Sequence, residues 1–311
     1  VRRRDTAARV AGLTVAAGAA VGIWSLAEAG AYRVRRVAVP ALGGPREALP
    51  VPLRVLHLSD LHLAPWQRRK RAWLRGLAAL EPDLTVVTGD FLGHRGAVPV
   101  VLEALDGLLD RPGAFVLGSN DYVAPRLANP LRYLAGPTGR RHEDWSEREK
   151  LPTGELVAGL TARGWVDLDN RRGSVVAGGM VVDLVGVDDP HHGLDRMPVP
   201  APVADGAVLR LGVAHAPYRR VLDAMTSDGA RVVLAGHTHG GQVCVPGWGA
   251  LVTNCDLEPR YAKGLFAWAV REDGGWTRRS SWVHVTPGVG TSPYTPVRLA
   301  CPPEASLLHL S

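Results

Sequence analysis

Seven side chains able to ligate a metal occur at the ends of short apolar runs. They are Asp60 and His62 in LHLSDLHL, Asp90 in LTVVTGDF, Asn120 in AFVLGSNDY, His215 in LRLGVAHAP, and His237 with His239 in VVLAGHTHGGQ. A short β-branched or aliphatic run of this kind is the pattern of a buried strand. Loops leaving the carboxyl ends of strands in open α/β sheets converge on one crevice, so residues far apart in the chain become neighbours. Neutral imidazoles and carboxylates suit zinc, iron or manganese, and two divalent ions about 4 Å apart can clamp the attacking and leaving oxygens of a phosphoryl transfer. Asp90 is the best-placed bridge, because a carboxylate offers several lone pairs on two oxygens. One residue separates His237 from His239, so an extended segment would put both rings on the same side, one for each ion. The chemistry these residues point to is hydrolysis at a two-metal site.

Each block taken singly has a plain structural reading: a surface histidine, a turn carboxylate, an Asx-turn. Their ordered co-occurrence favours the site. The succession D-x-H, G-D, G-N-H-[DE], a lone H, then G-H-x-H resembles the calcineurin-like metallophosphoesterases from about Leu53 to Gln242. HAPYRRVLDAM and AGHTHGGQVCVPGWG are similar to the branch that contains membrane-associated or exported bacterial phosphodiesterases. The resemblance implies an α/β fold in which two sheets pack together with helices outside. It also implies that Asp60, His62, Asp90 and His239 hold one metal, that Asp90, Asn120, His215 and His237 hold the other, and that a metal-bound hydroxide is the nucleophile.

One block departs from the family pattern: Gly118-Ser119-Asn120-Asp121 stands where Gly-Asn-His-Asp is usual. A gapless alignment puts Ser119 at the metal-binding asparagine and Asn120 at the histidine associated with catalysis. A one-residue slip keeps Asn120 on the metal and puts Asp121 in place of the histidine. The slip is the expectation, because an amide oxygen is a better ligand for a hard cation than a neutral hydroxyl. Neither alignment restores the histidine. General acid catalysis contributes roughly 10²–10⁴-fold, so phosphodiester, aryl or pyrophosphate substrates with good leaving groups would suffer least.

Other histidines divide by context. His57 on the first strand reads as a satisfied core residue, whereas His94, His142 and His284 lack partner spacing. His191 and His192 follow another apolar run in VGVDDPHHG and could line the cleft with Asp188 and Asp189; His191 is the candidate substrate contact.

Further elements must position these groups. Strands are expected near 53–58, 84–88 and 114–117, with helices near 66–80 and 98–110 between them. Strands near 180–186, 208–214, 231–235, 281–285 and 305–310 suggest a second sheet. The Pro-, Gly- and charge-rich stretch 124–155 reads as an inserted cap or loop in a single domain over 53–311. Residues 1–9 form a basic flank, 10–27 an uncharged segment approaching the roughly 20 residues of a membrane span, and 28–52 a linker. The expected protein is anchored by this helix with its catalytic domain outside the cytoplasm. Ala27-Glu28-Ala29 offers a signal-cleavage alternative that would release a secreted enzyme.

With 46% hydrophobic residues the 311-residue chain can bury a large core, and its net charge of +6 is almost wholly arginine, with only three lysines. No run of basic and aromatic residues resembles a nucleic-acid groove. The charge instead suits anionic membranes or phosphorylated small-molecule, lipid or envelope substrates. Cys244, Cys255 and Cys301 form no disulfide framework, although one pair could be oxidised outside the cytoplasm. Core packing is the expected role for Cys244 and Cys255. Two other functions compete with a small-molecule phosphoesterase: a protein phosphatase, and a catalytically silent metal-binding envelope protein.

Overall fold

The computed structural model describes residues 2–41, 51–125, 147–271 and 278–311, with side chains from residue 12 onward except at 278. The described strands form two six-stranded sheets and a small hairpin. Across the first sheet lie β1 (Arg33–Val39), β14 (Glu304–Leu310), β2 (Leu53–Leu58), β3 (Leu84–Thr88), β4 (Gly113–Val116) and β5 (Val166–Asp167). Across the second lie β12 (Gly264–Arg271), β13 (Arg278–Val285), β9 (Val232–Ala235), β8 (Ala207–Val213), β7 (Met180–Gly186) and β6 (Arg172–Ala177). The hairpin pairs β10 (Cys244–Val245) with β11 (Gly249–Ala250). β2, β3 and β4 run parallel, as do β7, β8 and β9, which gives every motif-bearing strand a carboxyl end at the same edge of its sheet.

Period-two alternation explains the layering, since successive side chains leave a strand on opposite faces. Leu53 and Val55 of β2 join Leu84, Val86, Ala114 and Val116 against Val182, Leu184, Leu211, Val213 and Val232, forming the core between the sheets. Leu56 and Leu58 face the other way, towards α2 (Arg68–Gly76), α3 (Val98–Leu109) and α5 (Thr153–Thr161) through Leu74, Val101, Leu105, Leu156 and Leu160. On the outer face of the second sheet, Val233, Val283 and Val285 pack with Val221, Leu222 and Met225 of α6 (Arg219–Ser227). The expected two-sheet α/β sandwich with flanking helices is therefore the fold.

Several expectations need correction. The segment read as a linker contains β1, paired in parallel with β14 over Arg33–Val39. β14 was expected in the second sheet, but it lies in the first, antiparallel to β2. The expected cap falls largely on 126–146, outside the described residues, while its C-terminal part forms the start of α5, whose Leu156 belongs to the core.

The N-terminal segment is helical, as α1 (Arg2–Glu28). The expected span at 10–27 lies inside it, yet among the described residues no helix is long and apolar enough to cross a membrane. The alanines and glycines that keep this stretch uncharged also leave it only modestly apolar. Its C-terminal end is docked: Glu28 accepts backbone N–H bonds from Ala300 (3.1 Å) and Cys301 (2.7 Å), and the Ser25 carbonyl accepts one from Arg298 (2.9 Å).

Candidate metal centre

Each candidate ligand sits just past a strand. Asp60 and His62 follow β2, Asp90 follows β3, Ser119 and Asn120 open the short helix α4 (Ser119–Tyr122) after β4, His215 follows β8, and His237 with His239 follow β9. Backbone bonds lace these loops together, from Asp60 N to Gly89 O (2.9 Å), His62 N to Asp90 O (2.9 Å) and Gly236 N to His215 O (2.8 Å). Asp60, His62, Asp90, His237 and His239 all have positive φ, between 42° and 68°. A left-handed backbone is uncommon for residues other than glycine and costs roughly 1–3 kcal/mol each when strained, so five such residues at one place mark a site that the surrounding structure holds against local preference. Gly118 permits a close approach: a β-carbon there would lie 2.4 Å from Asp90 Oδ1.

The imidazoles converge in two pairs. His62 Nε2 and His239 Nε2 are 3.3 Å apart, and so are His215 Nε2 and His237 Nδ1. Two nitrogens bound to one tetrahedral zinc at about 2.0–2.1 Å would be separated by about 3.3–3.4 Å, so each pair has the spacing of two ligands on one ion. Asp90 lies between the pairs, with Oδ2 3.4 Å from His62 Nε2 and Oδ1 3.6 Å from His215 Nε2. Asp60 Oδ1 is 3.5 Å from His239 Nε2 and is buried with no hydrogen-bond partner among the described residues. A bound cation would satisfy that oxygen. Asp60, His62 and His239 form one compact donor group and Asp60, Asp90 and His215 another.

Three of the four outward-facing nitrogens are tied to backbone carbonyls: His215 Nδ1 to Thr88 O (2.7 Å), His239 Nδ1 to Gly290 O (3.2 Å) and His237 Nε2 to Asn254 O (3.2 Å). Such bonds fix ring orientation and leave the inward lone pair for a metal. Burial lowers the proton affinity of His62 and His237 well below the ordinary histidine range and brings His239 down to about 4. Three rings are thus neutral at pH 7, as metal binding requires. His215 is different. Burial opposes its charge, but Asp90 and Asp60 raise it to about 9, while burial lifts Asp90 to about 6 against the pull of His215. A positive charge at this centre is therefore favoured by its own carboxylates.

The departing block is resolved in an unexpected way. Asn120 touches the centre, donating from its backbone to Asp90 Oδ1 (2.8 Å) and from its amide nitrogen to Asp90 Oδ2 (2.7 Å). Ser119 turns away, with its hydroxyl donating to Asp189 Oδ2 (2.7 Å). Asp121 is wholly buried and accepts three backbone N–H bonds, from Asp90 (2.8 Å), Gly118 (2.9 Å) and Leu92 (3.0 Å). It clamps the Asp90 and Gly118 loops with both carboxylate oxygens taken by backbone donors, a bracing position that differs from the expected role of replacement acid.

His191 lies tilted against His237 with ring centroids 4.3 Å apart, and its Nδ1 pairs with the Tyr218 hydroxyl at 3.1 Å. His192 pairs with Asp189 at 2.7 Å. His57 is the expected core histidine, bonded to Thr88 Oγ1 (3.0 Å) and to His284 Nδ1 (2.9 Å), so His284 has a partner that spacing did not reveal. Sequence reasoning also missed two buried cations. Lys70 Nζ donates to Leu61 O (2.8 Å) beneath the Asp60–His62 loop. Arg298, with no exposed surface, donates to Pro287 O (2.7 Å) and Gly290 O (2.7 Å) behind His239. A lysine on a basic amphipathic helix and an arginine in a Pro-rich loop carry no sequence signal for burial.

The calcineurin-like phosphoesterase family model matches residues 53–241, and the chain belongs to that family of metal-dependent phosphoric ester hydrolases. It is similar to Phosphodiesterase YaeI of Escherichia coli, at 26% identity over 83% of this chain and 82% of that protein. It is also similar to a bovine transmembrane protein with metallophosphoesterase domain, at 26% identity over 83% of this chain, which spans about half (53%) of that longer protein. An uncharacterized metallophosphoesterase of Bacillus subtilis, YkoQ, is 27% identical over 62% of this chain and 63% of its own length.

Proposed function

We propose that the protein is a phosphodiesterase or pyrophosphatase-type hydrolase with a dinuclear centre, held at a membrane surface through exposed apolar residues of α1 and acting outside the cytoplasm on a phosphorylated small molecule, lipid or envelope component. The single observation that carries the dinuclear reading is the pairing of four imidazoles into two 3.3 Å sets with Asp90 between them. Asp60, His62, Asp90 and His239 would hold one ion, and Asp90, Asn120, His215 and His237 the other. Bound divalent ions, whether zinc, iron or manganese, supply Lewis acidity and lower the pKa of a coordinated water. The chain's own residues do the positioning. The carbonyls of Thr88, Gly290 and Asn254 fix three rings, and Asp121 holds the Asp90 loop in register. His191, against His237, would meet substrate.

No side-chain acid is brought to the centre from the Ser119–Asp121 block, which supports substrates whose leaving group needs no proton. The phosphodiesterase relative and the transmembrane relative support the diester preference and the membrane placement. Exposed Leu13, Val15, Ile23 and Trp24 on α1, each at least 63% accessible, offer an apolar surface for lipid. The test is metal analysis of purified protein coupled to assays with bis-aryl and mono-aryl phosphates. Two ions per chain with faster diester turnover is expected. One ion or none, or turnover confined to monoesters, overturns the corresponding part of the proposal, and metal without any turnover makes the protein a silent binding module.

A further inference from the structure

We propose that Cys244 and Cys301 form a disulfide that clamps the loop carrying His239 to the C-terminal segment. The two thiols converge on one carbonyl: Cys244 Sγ donates to Gly240 O at 3.2 Å and Cys301 Sγ reaches the same oxygen at 3.5 Å. Both are free thiols in this structure. Both are buried, Cys244 at 3% and Cys301 at 0% accessibility.

A disulfide requires two backbones held side by side at a fixed spacing, and here both are pinned. Cys244 N donates to Leu299 O (2.9 Å), Leu299 N donates to Gln242 O (3.0 Å), and Cys301 N donates to Glu28 Oε1 (2.7 Å). Cys255 sits in a different core cluster, with Val221, Leu222 and Met225 of α6, so the pairing is specific among the three cysteines.

In the folded chain Lys263 Nζ lies 3.4 Å and Arg298 Nη1 4.0 Å from Cys301 Sγ. Thiol–disulfide exchange with a small-molecule disulfide or a dithiol oxidoreductase proceeds in two displacements. The Cys301 thiolate attacks one sulfur of the oxidant, forming a mixed disulfide and expelling a thiolate. Cys244 then loses its proton and attacks the Cys301 sulfur, expelling the second thiolate. Two cysteine thiols are oxidised by two electrons, two protons leave, and the oxidant disulfide becomes two thiols. Because both sulfurs end up buried, the exchange takes place as the chain folds, before the hairpin closes over them. The resulting bond would lie under Gly240, next to His239, whose carbonyl Cys301 Sγ also approaches at 3.4 Å.

The experiment is to refold the full chain in glutathione redox buffers, alkylate free thiols in denaturant, and map linked peptides by mass spectrometry. In oxidised glutathione the peptides bearing Cys244 and Cys301 should be joined, with Cys255 as the one remaining titratable thiol. Cys255→Ser should keep that linkage, whereas Cys244→Ser and Cys301→Ser should each lose it and retain two thiols. The oxidised wild type should also melt at a higher temperature than the reduced form. Three alkylated thiols after folding in oxidised glutathione, or a linkage involving Cys255, would overturn the proposal whatever the metal content or activity of the sample.

Discussion

At the scale of single residues, the centre depends on groups whose charges cannot be exchanged for isosteres. Asp90 faces both imidazole pairs, so Asp90→Asn removes the charge shared between them. Metal content at both positions should fall, with affinity reduced by more than the roughly 10–100-fold typical of supporting residues; full occupancy with normal turnover would rule out the bridge. The Ser119–Asp121 block gives a sharper contrast. Asn120→Ala should weaken metal binding, and Ser119→Ala should leave it nearly unchanged because that hydroxyl serves Asp189. Asp121→Ala strands three buried backbone donors, and a buried donor left unsatisfied costs about 1–3 kcal/mol, so urea unfolding should show a loss of several kcal/mol. Intact stability with turnover lost selectively on alkyl esters would restore the acid role. The convergence of the candidate ligands was legible because each follows an apolar strand run. The clamp was not, because a gap of one residue in a four-residue block has no cost until backbone bonds are seen.

Elements were legible in proportion to their burial. β2, β3 and β7 carry long apolar runs and emerge where expected, whereas β1, RVRRVAV, alternates arginine with valine at an exposed edge and reads as a basic linker. Its pairing partner is set by the far end of the chain, so no local pattern could reveal it. The docking of α1 was hidden for a similar reason: Glu28 looks like part of a cleavage motif but is 7% exposed and holds the Ala300–Cys301 backbone. A truncation series therefore has a definite order. Removal of residues 1–20 should leave the fold intact. Removal of 1–32 deletes Glu28 and its two charge-assisted bonds, worth on the order of 1.5–3 kcal/mol each. Removal of 1–39 also bares the edge of β14 and should promote aggregation. Equal melting temperatures for all three would show that the α1 contact and β1 contribute nothing to the domain.

The whole molecule is two sheets closed over a core that contains titratable pairs, and these set its response to pH. His57 of β2 and His284 of β13 meet between the sheets with Nδ1 atoms 2.9 Å apart, both nearly inaccessible. Burial, and for His57 also the facing His284, lowers His57 well below 6.5; burial and then Arg35 bring His284 down to about 3. Folded pKa values below the unfolded value mean that the unfolded chain binds more protons in that interval. Their contribution is present above pH 6.5 and is lost as pH falls, at about 1.4 kcal/mol per pH unit for each neutral histidine. Lys70, lowered to about 7 from 10.5 by burial and then Arg298, acts in the same direction in a higher window, so stability should also rise between pH 7 and pH 10. The neutral rings of the metal centre add to the acid limb, which would obscure the pair in the wild type alone. Comparing wild type with a His57→Leu, His284→Leu double variant at the same metal content separates them: urea unfolding between pH 4.5 and pH 6.5 should show a shallower slope for the variant. Parallel slopes would mean that the inter-sheet pair does not titrate in this range and that the acid limb belongs to the metal centre alone.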